Sequence, residues 1–180
     1  MRLIRIFSVV IFLSGTICAG DIYIELRGNY FSPSEKAFQD IYGGGMRYAG
    51  ELTFGIWKNL QLWIEGNYFS KDGELTFTKE ETSLQIIPIG SGIKYTFPAG
   101  IFSIYAGAGI NYYLYKESNI LGEVSKGGLG FVGKIGVMVT VIKGLFFDLY
   151  GEYSHCKITP DDFTINIGGM AAGIGLGYKF

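Results

Sequence analysis

Charged residues, histidines, cysteines and prolines are all scarce in this chain of 180 residues. Charged side chains make up 17% of it, and 15 basic residues stand against 16 acidic ones, so the basic surface typical of a nucleic-acid-binding protein is missing. One histidine and two cysteines argue against a metal centre, which needs three or four ligands. Only 4 prolines, with 28 glycines in no collagen-like repeat, argue against a disordered or fibrous chain.

Long apolar runs are also missing beyond the N-terminus. Hydrophobic residues make up 48% of the chain and aromatic residues 16%, yet no later run approaches the roughly 18 apolar residues that a transmembrane helix needs. The other structure that crosses a bilayer with every backbone group hydrogen-bonded is a closed β-barrel. The composition therefore predicts a membrane barrel.

The first 20 residues are predicted to be a cleaved signal peptide for export through the Sec system. Arg2 and Arg5 form a basic start, and an apolar stretch follows over residues 6–17. Small residues then offer a cleavage site, and we expect the cut after Ala19 or Gly20.

Cleavage would leave one domain, residues 21–180, with Cys156 as its only cysteine and therefore with no intrachain disulfide. Cys18 could suggest a lipoprotein, but Ile17 is too bulky for the residue that precedes a lipidated cysteine.

Eight segments of the chain have the two-residue alternation of β-strands. They are Ile22–Phe31, Tyr42–Trp57, Leu60–Phe69, Ser83–Phe97, Ile101–Tyr115, Gly128–Val141, Leu145–Cys156 and Thr164–Phe180. Three short turns alternate with four longer polar loops of mixed charge, which we interpret as solvated loops. This layout is typical of an all-β, eight-stranded antiparallel transmembrane β-barrel with up-and-down meander topology.

Each predicted strand has one bulky apolar face and one face of small or polar residues. In the third strand, Leu60, Leu62 and Ile64 oppose Gln61 and Glu65. The interior of an eight-stranded barrel is only just wide enough for side chains to fill it, so the bulky faces would overfill it. They are predicted to contact lipid, which argues against a soluble lipocalin-like barrel with the opposite arrangement.

The opposite faces carry charged residues that are predicted to form an interior network. This set consists of Glu25, Arg27, Arg47, Glu51, Glu65, Lys94, Lys134, Asp148, Glu152 and Lys179. Five acids against five bases can neutralise one another, as buried charge requires. We expect a salt-bridged interior that plugs the lumen.

Pro88 fits the predicted fourth strand badly. A closed barrel has no free edge at which the missing N–H of proline is tolerated. We therefore expect a bulge at Pro88, or a strand that starts near Ile89.

Candidate catalytic and binding motifs are weak. Glu152, Ser154 and His155 suggest the Ser-His-Glu set of lipid-A deacylases, but Ser154 and His155 are adjacent and would face opposite sides of a strand. His155 and Cys156 are too few for a metal site. A phosphate-binding loop is followed by a helix, and no helical pattern follows the glycine clusters of this sequence. The sequence predicts no enzyme and no cofactor.

Three segments resemble a known family: Ile87–Phe97, Ile104–Ile110 and Gly173–Phe180. With them the chain resembles the outer-membrane-protein β-barrel-domain family, which holds opacity-like surface proteins and other small eight-stranded barrels. The resemblance implies a Gram-negative outer membrane, with lipid and lipopolysaccharide around the barrel. It also implies insertion by the barrel-assembly machinery, which would recognise the C-terminal strand with Tyr178 and Phe180.

The leading expectation for function is a structural or surface-interaction role without enzymatic activity. A narrow channel for small solutes and, less favoured, a lipid-modifying enzyme remain alternatives. The sequence names no surface partner.

Overall fold

The computed structural model describes residues 20–74, 81–120, 122–159 and 164–180. The predicted signal peptide lies outside the described residues, apart from Gly20. Parts of three predicted loops lie outside them as well, at residues 75–80, 121 and 160–163.

The described chain forms nine strands and one short helix. The strands are β1 Ile22–Pro33, β2 Gly45–Trp57, β3 Leu60–Glu74, β4 Glu81–Ala99, β5 Phe102–Asn119, β6 Gly122–Ile142, β7 Leu145–Ile158, β8 Ile165–Asn166 and β9 Gly169–Lys179. The helix is α1, Lys36–Tyr42, between β1 and β2.

Eight of these strands close into an antiparallel barrel. Strands β1 to β7 pair in chain order, β7 pairs with β9, and β9 pairs with β1 from Tyr23↔Lys179 to Pro33↔Gly169. The prediction of an eight-stranded antiparallel up-and-down barrel is confirmed. We call the end of the barrel that carries α1 the outer end, and the end with the β2–β3, β4–β5 and β6–β7 turns the turn end. Among the described residues, no helix has the length and apolar character to span a membrane.

The strands reach further at the outer end than the sequence predicted. Strand β6 begins at Gly122 instead of Gly128, and β5 ends at Asn119 instead of Tyr115. Their polar residues resemble a loop, but beyond the bilayer a strand meets water on both faces and loses its apolar alternation.

Helix α1 lies where the sequence predicted a polar loop, and it includes Tyr42, the first residue of the predicted second strand. Phe38 and Tyr42 are one turn apart on its buried face. The helix ends at Gly43, whose φ of 63° favours glycine and whose N–H donates to Gln39 O at 2.9 Å. Seven residues are too few for a helical period to be recognised in the sequence.

The predicted eighth strand is interrupted. Both β8 and β9 pair with β7 in a single register, from Ile158↔Ile165 to Tyr153↔Met170. Between them Ile167 turns its side chain into the interior, where it is completely buried. The Asn166 Oδ1 atom accepts the N–H of Gly168 at 3.1 Å and stabilises this break.

The predicted bulge at Pro88 is wrong, and so is a strand start near Ile89. The β3–β4 register is the same on both sides of the proline, at Gly66↔Ile89 and Phe69↔Ile86, and only the pairs between them are missing. On its other side Pro88 pairs regularly with Tyr113 of β5. The missing N–H of Pro88 therefore leaves a local gap in the β3–β4 ladder and does not change its register.

The bulky faces point outward and the small or polar faces point inward. Leu26 is 73% exposed on the outside, whereas Trp63 on the inside is completely buried. Inward glycines make room for such side chains, because a Cβ on Gly109 would lie 2.4 Å from Trp63 Cζ2 and a Cβ on Gly136 would lie 2.6 Å from Tyr105 Cζ. The abundance of glycine therefore has a packing reason.

Candidate functional site in the barrel interior

Nine of the ten charged residues predicted for the interior lie inside the barrel and are at most 5% exposed. We call this set the interior network: Glu25, Arg27, Arg47, Glu51, Glu65, Lys94, Lys134, Asp148 and Glu152. Strands β1 to β4, β6 and β7 supply them at inward positions of the two-residue alternation.

Arg27 of β1 is the centre of the network. Its Nε donates to Glu25 Oε1 at 2.7 Å, and its Nη1 donates to Glu51 Oε2 at 2.6 Å and to Glu65 Oε2 at 2.8 Å. Its Nη2 lies 3.2 Å from Asp148 Oδ2 on β7. One guanidinium thus joins carboxylates from four strands, and its planar fork of donors suits this role.

Two lysines complete the central part of the network. The Lys134 Nζ atom lies 2.9 Å from both Glu51 Oε2 and Glu65 Oε2, and the Lys94 Nζ atom lies 2.7 Å from Glu51 Oε1. Thr53 donates its hydroxyl to the same Glu51 Oε1 at 2.9 Å. Glu51 therefore accepts hydrogen bonds from side chains on both sides of the barrel.

Aromatic rings line the network. Lys134 Nζ lies 3.7 Å from the ring centroid of Trp63, and the Arg27 guanidinium lies 4.6 Å from that of Tyr150. Tyr105 donates its hydroxyl to Asp148 Oδ2 at 2.6 Å. The alternation of the sequence puts these aromatic residues on inward positions, but their role against the cations was missed.

A second ion pair lies beside the centre. Arg47 Nη2 lies 2.9 Å from Glu152 Oε1, and Arg47 Nε donates to Asn29 Oδ1 at 2.9 Å. Asn29 in turn donates to the Tyr150 hydroxyl at 2.7 Å. This chain of contacts links β1, β2 and β7 across the lumen.

The assignment of Lys179 to the buried interior network is wrong. It lies exposed at the turn end, where its Nζ is 2.7 Å from Asp21 Oδ2, because β9 reaches the mouth of the barrel there. The network therefore has five acids and four bases, a formal charge of −1 instead of the predicted balance. Among the described residues, no hydrogen bond reaches Asp148 Oδ1 or Glu152 Oε2.

An apolar cluster that the sequence reasoning missed fills the outer part of the lumen. We call it the outer plug: Phe31, Phe38, Tyr42, Phe69, Leu84, Ile86, Tyr113, Tyr115, Cys156, Ile158, Ile167 and Ala171. Its members come from the outer ends of the strands, from α1 and from the break before β9. The sequence did contain a signal for this cluster. Along a strand, the inward residues change from polar to apolar, as from Glu65 to Phe69 in β3.

Helix α1 is fastened to the barrel by a hydrogen bond at its last residue. The Tyr42 hydroxyl donates to Glu117 Oε1 at 2.6 Å and lies 3.1 Å from Thr82 Oγ1. Burial, and then the hydrogen bond to Glu117, raise the pKa of Tyr42 above its ordinary value of 10.0. The protonated phenol is therefore the form that holds the helix.

Replacing Tyr42 by phenylalanine is expected to weaken the docking of α1 by about 1.5 kcal/mol, as for a hydrogen bond to a charged acceptor. In the wild type, the Tyr42 contribution is complete below pH 10 and is lost as the pH rises through the raised folded-state pKa. Hydrogen exchange of the α1 amides measures both effects. At neutral pH, α1 of the variant should open more readily than α1 of the wild type. At alkaline pH, the variant should lack the loss of α1 stability that deprotonation of Tyr42 causes in the wild type. An unchanged alkaline profile would contradict this role.

The turn end of the lumen is open. A cavity of about 490 Å³, which we call the vestibule, is lined among others by Asp21, Tyr23, Gln61, Thr96 and Lys179. Its lining includes no residue of the interior network, so the opening ends below the ionic layer.

The structure does not assemble the catalytic and metal candidates of the sequence. Ser154 faces inward, with its hydroxyl 3.4 Å from Gly169 O, whereas the His155 ring stacks on Phe131 on the outside at 5.2 Å. Among the described residues, no group of three or more histidine, cysteine or acidic side chains could hold a metal ion.

Tyr178 and Phe180 lie on the outer surface at the turn end. Their ring centroids are 4.8 Å apart, edge to face, and both rings are exposed. Tyr178 belongs to β9, while Phe180 donates its N–H to Ile22 O at 2.8 Å. Both therefore continue the apolar outer face to the end of the last strand.

A closed antiparallel barrel with a bulky apolar exterior and a polar interior defines a transmembrane β-barrel protein. The chain belongs to the outer membrane protein beta-barrel domain family, whose sequence model matches residues 19–180. The predicted resemblance is confirmed, and the Gram-negative outer membrane is the location of the protein. No curated protein sequence matches the chain.

Solved barrels of the same size share the fold. OprG from Pseudomonas aeruginosa has a TM-score of 0.69 at 15% identity, and the match covers 90% of this chain and 96% of that one. Neisserial surface protein A gives 0.63 at 17% identity, with 89% and 99% covered. Ail of Yersinia pestis, solved with the heparin analogue sucrose octasulfate, gives 0.58 at 14% identity, with 89% and 99% covered. At these identities the likeness shows the fold alone.

Proposed function

We propose that the protein is a non-conducting outer-membrane barrel with a structural or surface-interaction role. The observation that carries the proposal is the position of Arg27. Its guanidinium binds carboxylates from β1, β2, β3 and β7 within 3.2 Å, and its side chain is completely buried. A pore would need water-filled space where this cluster lies.

Two further features support a closed lumen. The outer plug adds an apolar layer above the interior network, and dry apolar layers oppose the passage of ions. The described residues that line the vestibule all lie at the turn end. A solute that entered it would meet the ionic layer first and the apolar layer next.

The vestibule is the one observation that favours the alternative, a narrow channel for small solutes. Such a channel would require the central ion pairs to separate. Leaving buried charges without partners costs several kcal/mol, so the open state would be rare.

We also propose the cellular route that the family implies. The signal peptide would direct the chain to the Sec system, and the barrel-assembly machinery would recognise the C-terminal strand with Tyr178 and Phe180. Outer-membrane lipid and lipopolysaccharide would then surround the apolar exterior, where residues such as Leu26, Leu129 and Phe147 are exposed.

A solute-flux assay in proteoliposomes tests the closed lumen. We expect liposomes that contain the purified protein to swell in arabinose no faster than protein-free liposomes, while a general porin at equal protein content swells them quickly. The alternative predicts swelling that increases with the amount of protein. Heat-modifiable migration on a cold SDS gel, measured on the same preparation, confirms that the barrel is folded.

A further inference from the structure

The interior network contains one more acid than bases, and no other buried charge offsets it. Among the described residues, every buried aspartate, glutamate, lysine and arginine belongs to this network. Five acids stand against four bases, and each of these residues is at most 5% exposed. Bulk water therefore solvates the excess negative charge poorly, and a buried unbalanced charge is costly.

Two parts of the network are neutral by themselves. Among the described residues, Arg47 forms an ion pair with Glu152 and with no other acid. The two lysines of the network supply two positive charges to Glu51 and Glu65. The excess charge must therefore lie with the acids that remain.

Those acids are Glu25 and Asp148, and Arg27 is the base that contacts them. The Arg27 Nη2 atom lies 2.9 Å from Glu25 Oε2 and 3.2 Å from Asp148 Oδ2, so both carboxylates bind the same nitrogen. Neither acid forms an ion pair with a lysine of the described chain. One guanidinium, which also contacts two other acids, cannot neutralise both.

A glycine of β9 brings the two acids together. Glu25 is on β1 and Asp148 is on β7, and β9 pairs with both of these strands. Gly175 of β9 is directly opposite Asp148, and a Cβ on Gly175 would overlap Glu25 Oε1. The Glu25 carboxylate thus occupies the space that a side chain at position 175 would fill.

Asp148 has an oxygen that no described group contacts. Its Oδ2 atom accepts the Tyr105 hydroxyl at 2.6 Å, whereas no hydrogen bond from the described residues reaches Oδ1. The Asp148 side chain is completely buried. A proton can therefore bind here without displacing an existing contact.

The other titratable groups around the pair offer no further positive charge. The phenols of Tyr23, Tyr105 and Tyr150 come from β1, β5 and β7. Strands β4 and β6 contribute the two network lysines, which are bonded to Glu51 of β2 and Glu65 of β3. Strand β9 contributes glycines beside the pair, and its lysine is bonded to Asp21 at the rim.

We propose that Glu25 and Asp148 together form a binding site for one proton, which the folded barrel retains at neutral pH. Two carboxylates held at one site do not both ionise at low cost, and the proton belongs to the pair and not to either residue. With this proton the interior network is neutral. The inference depends on the interior network and goes beyond the closed lumen.

The bound proton gives the stability of the barrel a defined pH dependence. In the unfolded chain both acids are ionised at neutral pH, so folding takes up one proton. The folding equilibrium constant should therefore fall about tenfold for each pH unit of increase, until the pair loses its proton. Urea titrations of the detergent-folded barrel between about pH 6 and pH 8 measure this constant.

The test compares two acid-to-amide variants on the same strand. Asp148→Asn leaves four acids and four bases, so it should lose the part of the pH dependence that the proton causes. Glu152→Gln deprives Arg47 of its partner, so it should be less stable than the wild type but keep the wild-type pH dependence. Groups that titrate elsewhere in the chain are common to all three proteins and cancel in the comparison.

Infrared spectroscopy of the wild type gives a second readout that needs no variant to fold. In a detergent without ester groups at neutral pH, we expect the carbonyl stretching band of one protonated carboxylic acid, and Asp148→Asn should lack it. Three results would overturn the proposal: no such band in the wild type, equal pH dependence of the wild type and Asp148→Asn, or loss of the pH dependence in Glu152→Gln. Liposome swelling tests the closed lumen separately, so either proposal can fail alone.

Discussion

Replacing Arg27 by methionine is expected to destabilise the barrel by about 3–5 kcal/mol, the usual cost of removing one partner from a buried ion pair. Methionine retains much of the side-chain volume but leaves Glu25, Glu51, Glu65 and Asp148 without their shared cation. Lys94 and Lys134 reach Glu51 and Glu65 but not the other two acids. The temperature at which the fast-migrating folded band converts to the unfolded band on SDS gels should fall strongly.

Lys179 provides the matched control. It is also a basic residue on an inward position of the alternation, but its side chain is 43% exposed and its ion pair with Asp21 lies at the rim. Lys179→Met should cost less than about 1 kcal/mol. Arg27→Lys should fall between the two, because a single ammonium cannot replace the guanidinium fork. Equal effects at both positions would contradict the central role of Arg27.

Replacing Gly109 by valine is expected to destabilise the barrel by about 3 kcal/mol, the upper part of the range for overpacking a core. A Cβ at this position would lie 2.4 Å from Trp63 Cζ2 and 2.4 Å from Ser91 O on the neighbouring strand. The backbone oxygen cannot move without breaking the ladder, and Trp63 is held under Lys134. Folding yield in detergent and the unfolding temperature measure the effect.

Gly133 of β6 is the control for Gly109. It faces outward beside β5, and the nearest atom to an added Cβ is Gly107 O at 4.0 Å. Gly133→Val should therefore leave the stability unchanged or slightly increased, since valine favours strands and would only meet lipid. A large loss for Gly133→Val together with a tolerated Gly109→Val would mean that the faces of the barrel are inverted.

The fold could be predicted because two simple constraints agree. The two-residue alternation locates the strands, and the small volume inside eight strands decides which face is inside. The alternation also places Glu25, Arg27 and Glu51 on inward positions without any knowledge of their contacts. A single sequence is enough to apply three constraints: the two-residue period of the side chains, the width of an eight-stranded barrel and the cost of burying unpaired charge.

The remaining features depend on where strands lie along the barrel axis, which alternation does not give. Lys179 occupies an inward position of the two-residue alternation, as the network residues do, but it lies at the mouth of the barrel. The alternation does not show how far along the barrel axis a residue lies. The outer plug and α1 were missed for a similar reason: Phe38 and Tyr42 gain their burial from strand ends that rise above the bilayer.

Single-channel recording in a planar lipid bilayer tests the central claim most directly. The purified barrel, shown to be folded by its heat-modifiable migration, is inserted and held under voltage. With Arg27 bound to carboxylates from four strands and the outer plug above it, we expect no discrete conductance steps of porin size. Regular open steps of that size, seen in every folded preparation, would contradict the closed lumen and identify the protein as a channel.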